Sequence, residues 1–364
     1  MSEKILSIIV PSYNMEKYLP KCLDSLVVSS DLMERLEVLV VNDGSKDRTS
    51  EIAHNFESRY PRTFKVIDKA NGNYGSCINA ALPMATGIYV KVLDADDTYD
   101  TDALQEYLPF LLSVTKEDAS DLVINDFEFV DGNGVAYDWR KYPFAANKGF
   151  SIADFDFSCR EKWLWMHAIA YRTELLRKIE YRQSEGLSYT DQEWISIPMS
   201  AVSRTCYFPR VLYRYFMGRE GSTCVSDVYD KNLWMQMEFV PRIAEYYRSH
   251  WHELGEANRR YYITYMRGRE QIIYRTCLKL DYPGNRNSLR LFDERLKRID
   301  AAVYAFADEF VLKTRFFSFH YVTEWRRGKS FKTMKYFLYG SYVRLAMLLH
   351  RVVKRGRNER CDNG

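Results

Sequence analysis

Three carboxylates stand within four positions at the end of one apolar stretch, residues 90–93. They are Asp94, Asp96 and Asp97, with a single alanine between the first two. Carboxylates at the end of a buried strand cost desolvation free energy unless a cation or several hydrogen-bond donors bind them. Two carboxylates that flank a small residue suit an oxygen-ligated divalent ion, which keeps water and substrate phosphates in its other positions. On this motif alone, a metal site and a solvated turn are equally good interpretations.

This motif follows the last of four predicted strands, which are apolar and rich in β-branched residues and cover residues 5–10, 36–41, 64–67 and 87–93. Such strands are typical of a parallel sheet buried on both faces. Helical spacing of apolar residues alternates with them over residues 16–28, 45–60, 76–84 and 101–112. Three of the four strands end in polar or glycine-rich turns, and such ends line the ligand crevice of an open α/β sheet. The sequence therefore predicts an α/β fold, with a mostly parallel central sheet flanked by helices and a site at its carboxyl edge.

The rest of the chain changes character twice. Further strands are predicted over residues 121–127 and within 204–215, and the Asp-Gly-Asn-Gly stretch at 131–134 is a candidate hairpin turn. Beyond about residue 227 glycine becomes rare and long amphipathic helical patterns follow. We therefore predict a main domain, a helical carboxyl-terminal region and a basic tail, over residues 1–226, 227–325 and 326–364.

The composition is that of a folded protein, with 46% hydrophobic and 28% charged residues in a chain of 364. The seven cysteines are scattered without the spacing of metal ligands, which fits the reduced thiols of the cytosol. The amino terminus runs directly into a short strand rather than into the apolar core of a signal peptide. No apolar run is long enough to span a membrane without charges. These features predict a cytoplasmic protein.

Four motifs, in their order and spacing, resemble family 2 glycosyltransferases. They are Val-Pro-Ser-Tyr-Asn, Val-Asn-Asp-Gly-Ser, Asn-Gly-Asn-Tyr-Gly and Leu-Asp-Ala-Asp-Asp, at residues 10–14, 41–45, 71–75 and 93–97. The resemblance covers about residues 6–126 and extends to about residue 223. It implies a GT-A fold and an inverting transfer of a sugar from a nucleotide-diphosphate donor, with a UDP-sugar expected. The acceptor would be a glycan or a lipid-linked group in surface polysaccharide assembly.

The resemblance assigns the nucleotide to the first three motifs. Asp43 matches the residue that bonds the base, while Pro11 and Tyr13 match positions that frame it. Physical chemistry agrees, because an aspartate can accept from an imide N–H and a tyrosine ring can stack. Asn71 matches a third nucleotide-contacting turn, although Ile78 stands where the family often has an arginine. The alternative for Asp43 is a turn carboxylate without a ligand.

The resemblance assigns a divalent metal, Mn²⁺ or Mg²⁺, to Asp94 and Asp96. Bound there, the ion would neutralise charge that develops on the leaving diphosphate. Asp97 is predicted to cap the following turn, with a hydrogen bond to the donor sugar as the alternative. His167 lies in an aromatic stretch and is interpreted as a core histidine outside the metal shell.

An inverting transfer also needs a carboxylate that takes the proton of the acceptor hydroxyl, and Asp191 is the candidate. The family usually has Glu-Asp ahead of an aromatic residue, whereas this chain has Thr190 before Asp191 and Trp194 after it. Glu193 is the rival base. The alternative for both acids is a helix start stabilised by the helix dipole.

Arg219, with Ser222 and Thr223, resembles a loop that closes over the diphosphate in relatives. A guanidinium binds pyrophosphate oxygens as a bidentate fork. The alternative is a solvated loop arginine, since Arg210 and Arg214 lie close by in the sequence.

The tail concentrates positive charge, because residues 326–360 contain eleven Lys and Arg against one acid, a local charge of +10 in a chain of +3. Apolar residues recur there at steps of three or four. This pattern is typical of an interfacial helix on anionic lipid, so we predict peripheral attachment at the inner face of the cell membrane. Docking on the rest of the protein or on a second subunit of a homo-oligomer is the alternative. Nucleic acid is not the favoured partner, because binding it would need the same positive charge but would leave the apolar stripe unexplained.

Two other functions compete with the glycosyltransferase prediction. One is a non-catalytic protein that binds a nucleotide sugar or a carbohydrate on the same fold. The other is a sugar nucleotidyltransferase, which needs a glycine-rich basic phosphate loop near the amino terminus, and residues 11–16 contain neither glycine nor a cation.

Overall fold

The computed structural model describes residues 3–115, 119–146, 148–154, 163–219, 232–280, 283–313 and 318–328. The chain divides into two compact units, Met1–Tyr265 and Met266–Gly364. The domain boundaries predicted at residues 226 and 325 stay predictions. Among the described residues, none of the helices combines the length and the hydropathy that a membrane-spanning segment needs.

One large sheet dominates the first unit. Its strands are β1 (Leu6–Ser12), β2 (Leu36–Asn42), β3 (Phe64–Asp68), β4 (Tyr89–Val92), β5 (Thr98–Tyr99), β6 (Leu122–Val130), β7 (Ala136–Arg140), β8 (Phe150–Ser151), β9 (Ile169–Arg172) and β10 (Arg204–Phe216). Their order is β3-β2-β1-β4-β9-β6-β10-β5, with β7 beside β6 and β8 beside β10. The first four strands are parallel, as predicted, and β1 and β2 are buried at every position.

The helices of the first unit alternate with these strands. They are α1 (Leu19–Asp24), α2 (Ser30–Met33), α3 (Thr49–Arg59), α4 (Asn73–Ala81), α5 (Thr101–Ser113), α6 (Thr173–Lys178), α7 (Asp191–Ser196) and α8 (Leu233–Ser249), followed by α9 (Glu256–Leu280). Helix α5 is capped by Asp100, whose carboxylate accepts from the Ala103 amide at 2.8 Å. The prediction that Asp97 caps the following turn is therefore wrong, because Asp100 lies one turn closer to the helix and takes that role.

Strand β9 was not predicted from the sequence. It runs antiparallel to both β4 and β6 and fills the gap between them. A buried cation holds this junction: Lys91 of β4 donates to the Asn125 side chain at 2.9 Å and to the carbonyls of His167 and Ile169 at 2.8 and 3.2 Å. Burial lowers the pKa of Lys91 well below its usual value. Through these three acceptors, Lys91 connects β4, which leads to the carboxylates, with β6 and with the start of β9.

The predicted turn at residues 131–134 is confirmed as the connection of the β6–β7 hairpin. The amide of Gly134 donates to the Asp131 carbonyl at 2.9 Å, and the Asp131 amide donates to the Val135 carbonyl at 3.0 Å. Gly134 has φ +76°, a left-handed conformation that glycine adopts without strain.

The second unit contains α10 (Pro283–Ile299), α11 (Ala301–Phe306), α12 (Tyr321–Arg326) and a two-stranded sheet of β11 (Val311–Lys313) and β12 (Ser318–His320). Arg326 joins its elements, with an ion pair to Asp293 at 2.7 Å and another to Asp308 at 3.0 Å. From residue 329 onward, the predicted basic tail lies outside the described residues.

Candidate functional site

The loops that follow β1, β2 and β4 meet at one edge of the large sheet. Parallel pairing places Ser12 beside Asn42 and Ile9 beside Val92, so the residues after each strand emerge together. The Asp43 amide also donates to the Ser12 carbonyl at 2.9 Å. The three polar motifs predicted from the sequence therefore converge at the carboxyl edge, as parallel strand ends should.

Asp43, in the loop after β2, accepts several hydrogen bonds. Its Oδ1 accepts from the Lys69 ammonium at 2.6 Å and from the Gly72 amide at 3.0 Å, and its Oδ2 accepts from the Asn73 amide at 2.9 Å. The side chain is only 4% exposed. These bonds fix the turn before α4, and Oδ2, with one donor, keeps a lone pair for a ligand N–H.

The other predicted nucleotide contacts lie around Asp43. Tyr13 directly follows β1 and is 46% exposed, so one face of its ring is open. Asn71 is exposed, and its side-chain amide donates to the Asp43 backbone carbonyl at 3.0 Å. Pro11 is buried inside β1, paired with Val41. The structure thus brings Tyr13, Asp43 and Asn71 together, with Tyr13 and Asn71 exposed and Asp43 buried, whereas Pro11 shapes the strand beneath them.

Asp94 is partly buried and has a specific partner, the Tyr74 hydroxyl, which donates to its Oδ1 at 2.9 Å. Burial and the nearby charge of Asp96 raise the pKa of Asp94, while the Tyr74 bond opposes them. Asp96 itself forms an ion pair with the predicted loop residue Arg219 at 2.5 Å. A bound cation would offset this repulsion and stabilise the ionised form of Asp94. The predicted loop partners Ser222 and Thr223 lie outside the described residues.

Asp97 faces away from solvent and joins this loop to β10. Its Oδ2 accepts from the Tyr213 hydroxyl at 2.5 Å and its Oδ1 from the Phe216 amide at 2.7 Å. Burial and the charges of Asp96 and Asp94 raise the pKa of Asp97. Two protein donors therefore hold the third carboxylate of the motif.

His167, which the sequence interpretation left out of the metal shell, lies beside these carboxylates. One ring nitrogen of His167 and one oxygen each of Asp94 and Asp97 lie within 4.8 Å of one another. Its Nδ1 has no hydrogen-bond partner among the described residues, and burial lowers its pKa to about 3, so the imidazole is neutral. Neutral imidazole is the form that ligates metals.

The residues present therefore fit a divalent cation in either of two ways, and Asp94 belongs to both. The first ligand set pairs it with Asp96, as predicted, and the second pairs it with Asp97 and His167. Oxygen-only ligands suit Mg²⁺, whereas imidazole suits the transition metals better.

The candidate base Asp191 begins α7 and is partly buried. Its Oδ2 accepts from the Gln192 side chain at 2.7 Å. Its charge is among the causes that raise the pKa values of both Tyr74 and Asp94. The charge of Asp191 therefore acts on the Tyr74–Asp94 pair, although the residues are far apart in sequence.

Glu193 occupies a different environment from Asp191. Its side chain has no exposed surface, and it accepts from the Ser184 amide at 2.6 Å and the Ser184 hydroxyl at 2.7 Å. Arg242 of α8 adds an ion pair at 3.2 Å. Burial raises the pKa of Glu193, and these partners oppose that shift. With its oxygens enclosed by protein donors, Glu193 anchors α7 and offers no surface to an acceptor hydroxyl.

This anchoring leads to a stability prediction. Replacing Arg242 by Met should destabilise the fold by about 3 kcal/mol, because the fully buried carboxylate of Glu193 loses its countercharge. Urea unfolding measures the change. Arg210→Met is the matched control, since Arg210 and Glu106 form an ion pair with both side chains largely exposed, and it should stay within about 0.5 kcal/mol of wild type. Equal stability of the two variants would contradict the structural role of Glu193.

Gly75 allows the segment before α7 to approach helix α4. A Cβ atom at Gly75 would lie 1.9 Å from the Ser184 carbonyl oxygen, which is backbone and cannot move aside alone. We predict that Gly75→Ala costs about 1–3 kcal/mol of stability, as overpacking does, because it displaces the Ser184 backbone that holds Glu193. Thermal unfolding measures the loss. At the control position Gly132, a Cβ would meet nothing within 4 Å, so a harmful Gly132→Ala or a silent Gly75→Ala would refute this account.

Several groups of the site were not predicted from the sequence. Tyr74 stands in the third motif without a predicted contact to a carboxylate, and the donors to the third carboxylate, the Tyr213 hydroxyl and the Phe216 backbone amide, were not singled out. Their only sequence signal is the abundance of aromatic residues, 15% of the chain, which does not say where a ring lies. Contacts between residues more than a hundred positions apart decide it.

Comparison with known proteins identifies relatives of this chain. Residues 7–180 match the family model described as glycosyl transferase family 2. An uncharacterized glycosyltransferase of Mycoplasma pneumoniae, the MG025 homolog, is 38% identical over 103 residues, 28% of this chain and 34% of that protein. The uncharacterized glycosyltransferase YibD of Escherichia coli K12 is 25% identical over 246 residues, 65% of this chain and 68% of that protein. The chain therefore spans about a third of the length of the Mycoplasma relative and two thirds of YibD.

Among solved structures, residues 1–349 of S. aureus TarS share the fold. The TM-score is 0.64 at 22% identity, over 83% of this chain and 83% of that chain. The same fragment in complex with UDP-GlcNAc gives a TM-score of 0.51 at 21% identity, over 82% of this chain and 91% of that chain. The predicted GT-A fold is confirmed by this similarity.

Proposed function

We propose that this protein, whose residues 7–180 belong to glycosyl transferase family 2, transfers a sugar from a nucleotide-diphosphate donor to an acceptor hydroxyl with inversion. The observation that carries the proposal is the meeting of three groups at one sheet edge. These are the Tyr13–Asp43 surface, the carboxylate motif with Asp94, and the acid Asp191. They correspond to a base site, a diphosphate site and a proton acceptor.

The donor is proposed to be a UDP-sugar. The Oδ2 lone pair of Asp43 can accept an imide N–H such as that of uracil, and the exposed ring of Tyr13 can stack on the base. The complex of the structurally similar TarS fragment with UDP-GlcNAc makes that nucleotide sugar the first to test. Arg219 would move from Asp96 to the diphosphate when the donor binds.

Asp94 is proposed to hold Mn²⁺ or Mg²⁺, together with Asp96 or with Asp97 and His167. When bound, the ion supplies positive charge that stabilises the departing nucleoside diphosphate. Tyr74 orients Asp94 through its hydroxyl, which leaves the second oxygen of that carboxylate free to face the ion.

Asp191 is proposed to take the proton of the acceptor hydroxyl as that oxygen attacks the anomeric carbon. General-base catalysis requires the carboxylate within hydrogen-bond reach of the hydroxyl and ionised at working pH. Asp191 is partly accessible, in contrast to the enclosed Glu193.

A screen of nucleotide sugars with and without Mn²⁺ or Mg²⁺ tests the proposed function. We expect one donor to be hydrolysed only with metal and to raise the melting temperature, because ligand at a hundredfold excess over Kd adds about 2.7 kcal/mol of stability. Thermal stabilisation without any hydrolysis or transfer would favour the rival, a non-catalytic nucleotide-sugar-binding protein. Release of pyrophosphate from a nucleoside triphosphate and a sugar phosphate would favour a nucleotidyltransferase.

The acceptor is proposed to be a glycan or a lipid-linked glycan of surface polysaccharide assembly, met at the inner face of the membrane. The support is the charge of +10 over residues 326–360, which would attract anionic lipid. Co-sedimentation with anionic vesicles tests the attachment. Binding that does not weaken with salt, or dimers in place of vesicle binding, would reject it.

A further inference from the structure

Arg140, the last residue of β7, carries a charge that its described surroundings do not neutralise. The side chain is half-buried, and its Nε is enclosed with no hydrogen-bond partner among the described residues. Its Cζ lies 5.9 Å from the ring centroid of Trp165, so the guanidinium faces an aromatic ring. Enclosing a charged donor without an acceptor costs free energy. A bound acceptor of negative charge would remove that cost.

The acidic side chains of the β6–β7 hairpin have partners of their own. These partners are the Tyr207 hydroxyl for Asp126 at 2.7 Å, Arg214 for Glu128 at 2.7 Å and the Trp139 amide for Asp138 at 2.9 Å. In the part of the chain that the structure describes, Arg140 forms no ion pair with any of them. Its guanidinium is therefore available to a ligand.

Arg140 lies next to the aromatic residues that border the candidate site. In the β6–β7 pairing it stands opposite Phe127, and residues directly opposite each other present their side chains on the same face. The ring centroid of Phe127 lies 5.2 Å from that of His167, and the centroid of the partly exposed Trp165 lies 6.0 Å from it. His167 in turn lies beside Asp94. The guanidinium is therefore close to the site, with rings between it and the carboxylates.

We propose that Arg140, supported by the ring of Trp165, binds an oxyanion of the acceptor, a phosphate or a carboxylate. This inference rests on the proposed function and gives the charge of its second substrate. A planar guanidinium binds either group through paired N–H donors, and a cation–π contact holds it in place. The donor diphosphate is a separate anion, because the groups proposed to hold it, Asp94 and Arg219, lie at the carboxylate motif.

Saccharides that differ only in charge test the proposal on the full chain. The probes are methyl β-D-glucopyranoside, its 6-phosphate and the corresponding methyl glucuronide, each titrated by NMR. We expect at least one anionic probe to bind about tenfold or more tightly than the neutral one, and Arg140→Gln to abolish this preference. Arg62→Gln is the matched control, because the Arg62 side chain is 79% exposed and lies outside the hairpin. Equal Kd values for the three probes, or a preference that survives Arg140→Gln, would overturn the proposal. The 6-phosphate and the glucuronide distinguish the two oxyanions.

Thermal unfolding separates ligand binding from a structural role of Arg140. Because its Nε has no partner among the described residues, Arg140→Gln should melt close to the wild-type temperature. Arg140→Lys keeps the charge without the planar fork and should retain part of the anion preference. A melting temperature that falls by several degrees while the Kd values of the probes stay unchanged would overturn the proposal in favour of a structural arginine.

Kinetics separate this inference from the proposed function. With the donor found in the nucleotide-sugar screen, Arg140→Gln should raise the KM of an anionic acceptor about tenfold and leave the Kd of the donor unchanged. A donor Kd raised by the same factor would place Arg140 at the diphosphate and overturn the acceptor assignment. Weaker binding to phosphatidylglycerol vesicles with unchanged saccharide Kd values would overturn it in favour of a lipid headgroup. If the wild type processes no donor, the proposed function fails, while the NMR titrations still decide whether Arg140 binds an oxyanion.

Discussion

Replacing Asp191 by Asn should lower the rate of sugar transfer by about 10²- to 10⁴-fold, the usual contribution of a positioned general base. An asparagine keeps the size of the side chain and its contact with Gln192, but it cannot accept a proton. The Kd of the donor should stay close to that of wild type, because Asp191 is not among the proposed donor contacts, which lie on the loops after β1, β2, β3, β4 and β10. Steady-state transfer and titration of the donor measure the two quantities separately.

Two variants control this prediction. Asp24→Asn removes an exposed carboxylate of the same type and should keep the wild-type rate. Glu193→Gln should lower stability, since Glu193 is enclosed by Ser184 and Arg242, and should retain the rate per folded molecule. An Asp191→Asn enzyme that transfers sugar at the wild-type rate, beside a folded but inactive Glu193→Gln, would move the base assignment to Glu193.

Replacing Asp94 by Asn should abolish metal-dependent turnover while keeping or raising the stability of the metal-free protein. Both proposed ligand sets contain Asp94, so its loss removes a negative ligand from either one. Burial and Asp96 destabilise the ionised carboxylate, and the pKa of Asp94 is raised for that reason. At neutral pH the amide removes this repulsion and still accepts from the Tyr74 hydroxyl. A gain of about 1 kcal/mol would raise the melting temperature by about 2–4 °C.

Melting curves with and without Mn²⁺ test this prediction, together with donor turnover. The wild type should gain stability from metal, and Asp94→Asn should not. A melting temperature that falls by several degrees in the metal-free variant would show that Asp94 is a structural carboxylate. Retained metal-dependent turnover would remove Asp94 from the metal site.

The same measurements distinguish the two ligand sets. If Asp96 is the second ligand, Asp96→Asn should weaken metal binding and His167→Gln should not. If Asp97 and His167 complete the shell, His167→Gln should weaken the binding of Mn²⁺ more than that of Mg²⁺, because imidazole is a better ligand for the former. The neutral state of His167 at ordinary pH is compatible with that role.

The placement of the strand-end motifs shows what a sequence pattern can predict. Apolar β-branched runs and the helices between them follow local periodicity, and parallel strands bring their carboxyl ends to one edge. For this reason the positions of Asp43 and Asp94 at a common edge were predictable. Local pattern also located the turn that ends at Gly134, because a positive φ needs a glycine there.

The different roles of the carboxylates depend on contacts that no local sequence pattern encodes. Asp97 was predicted as a cap, yet Asp100 caps α5 and Asp97 binds Tyr213 and Phe216 of a strand more than a hundred residues away. Insertion of β9 between β4 and β6 brings His167 to the carboxylates, although its sequence neighbourhood indicates an ordinary core histidine.

Local sequence pattern was sufficient to predict the parallel α/β half, the edge at which its motifs meet and the acidic residues available for metal and proton transfer. The enclosure of Glu193, the influence of Asp191 on Asp94 and the position of His167 beside the carboxylates follow from tertiary packing. Strand formation and turn geometry depend on neighbours along the chain. The burial and partners of a side chain depend instead on which distant segments pack around it.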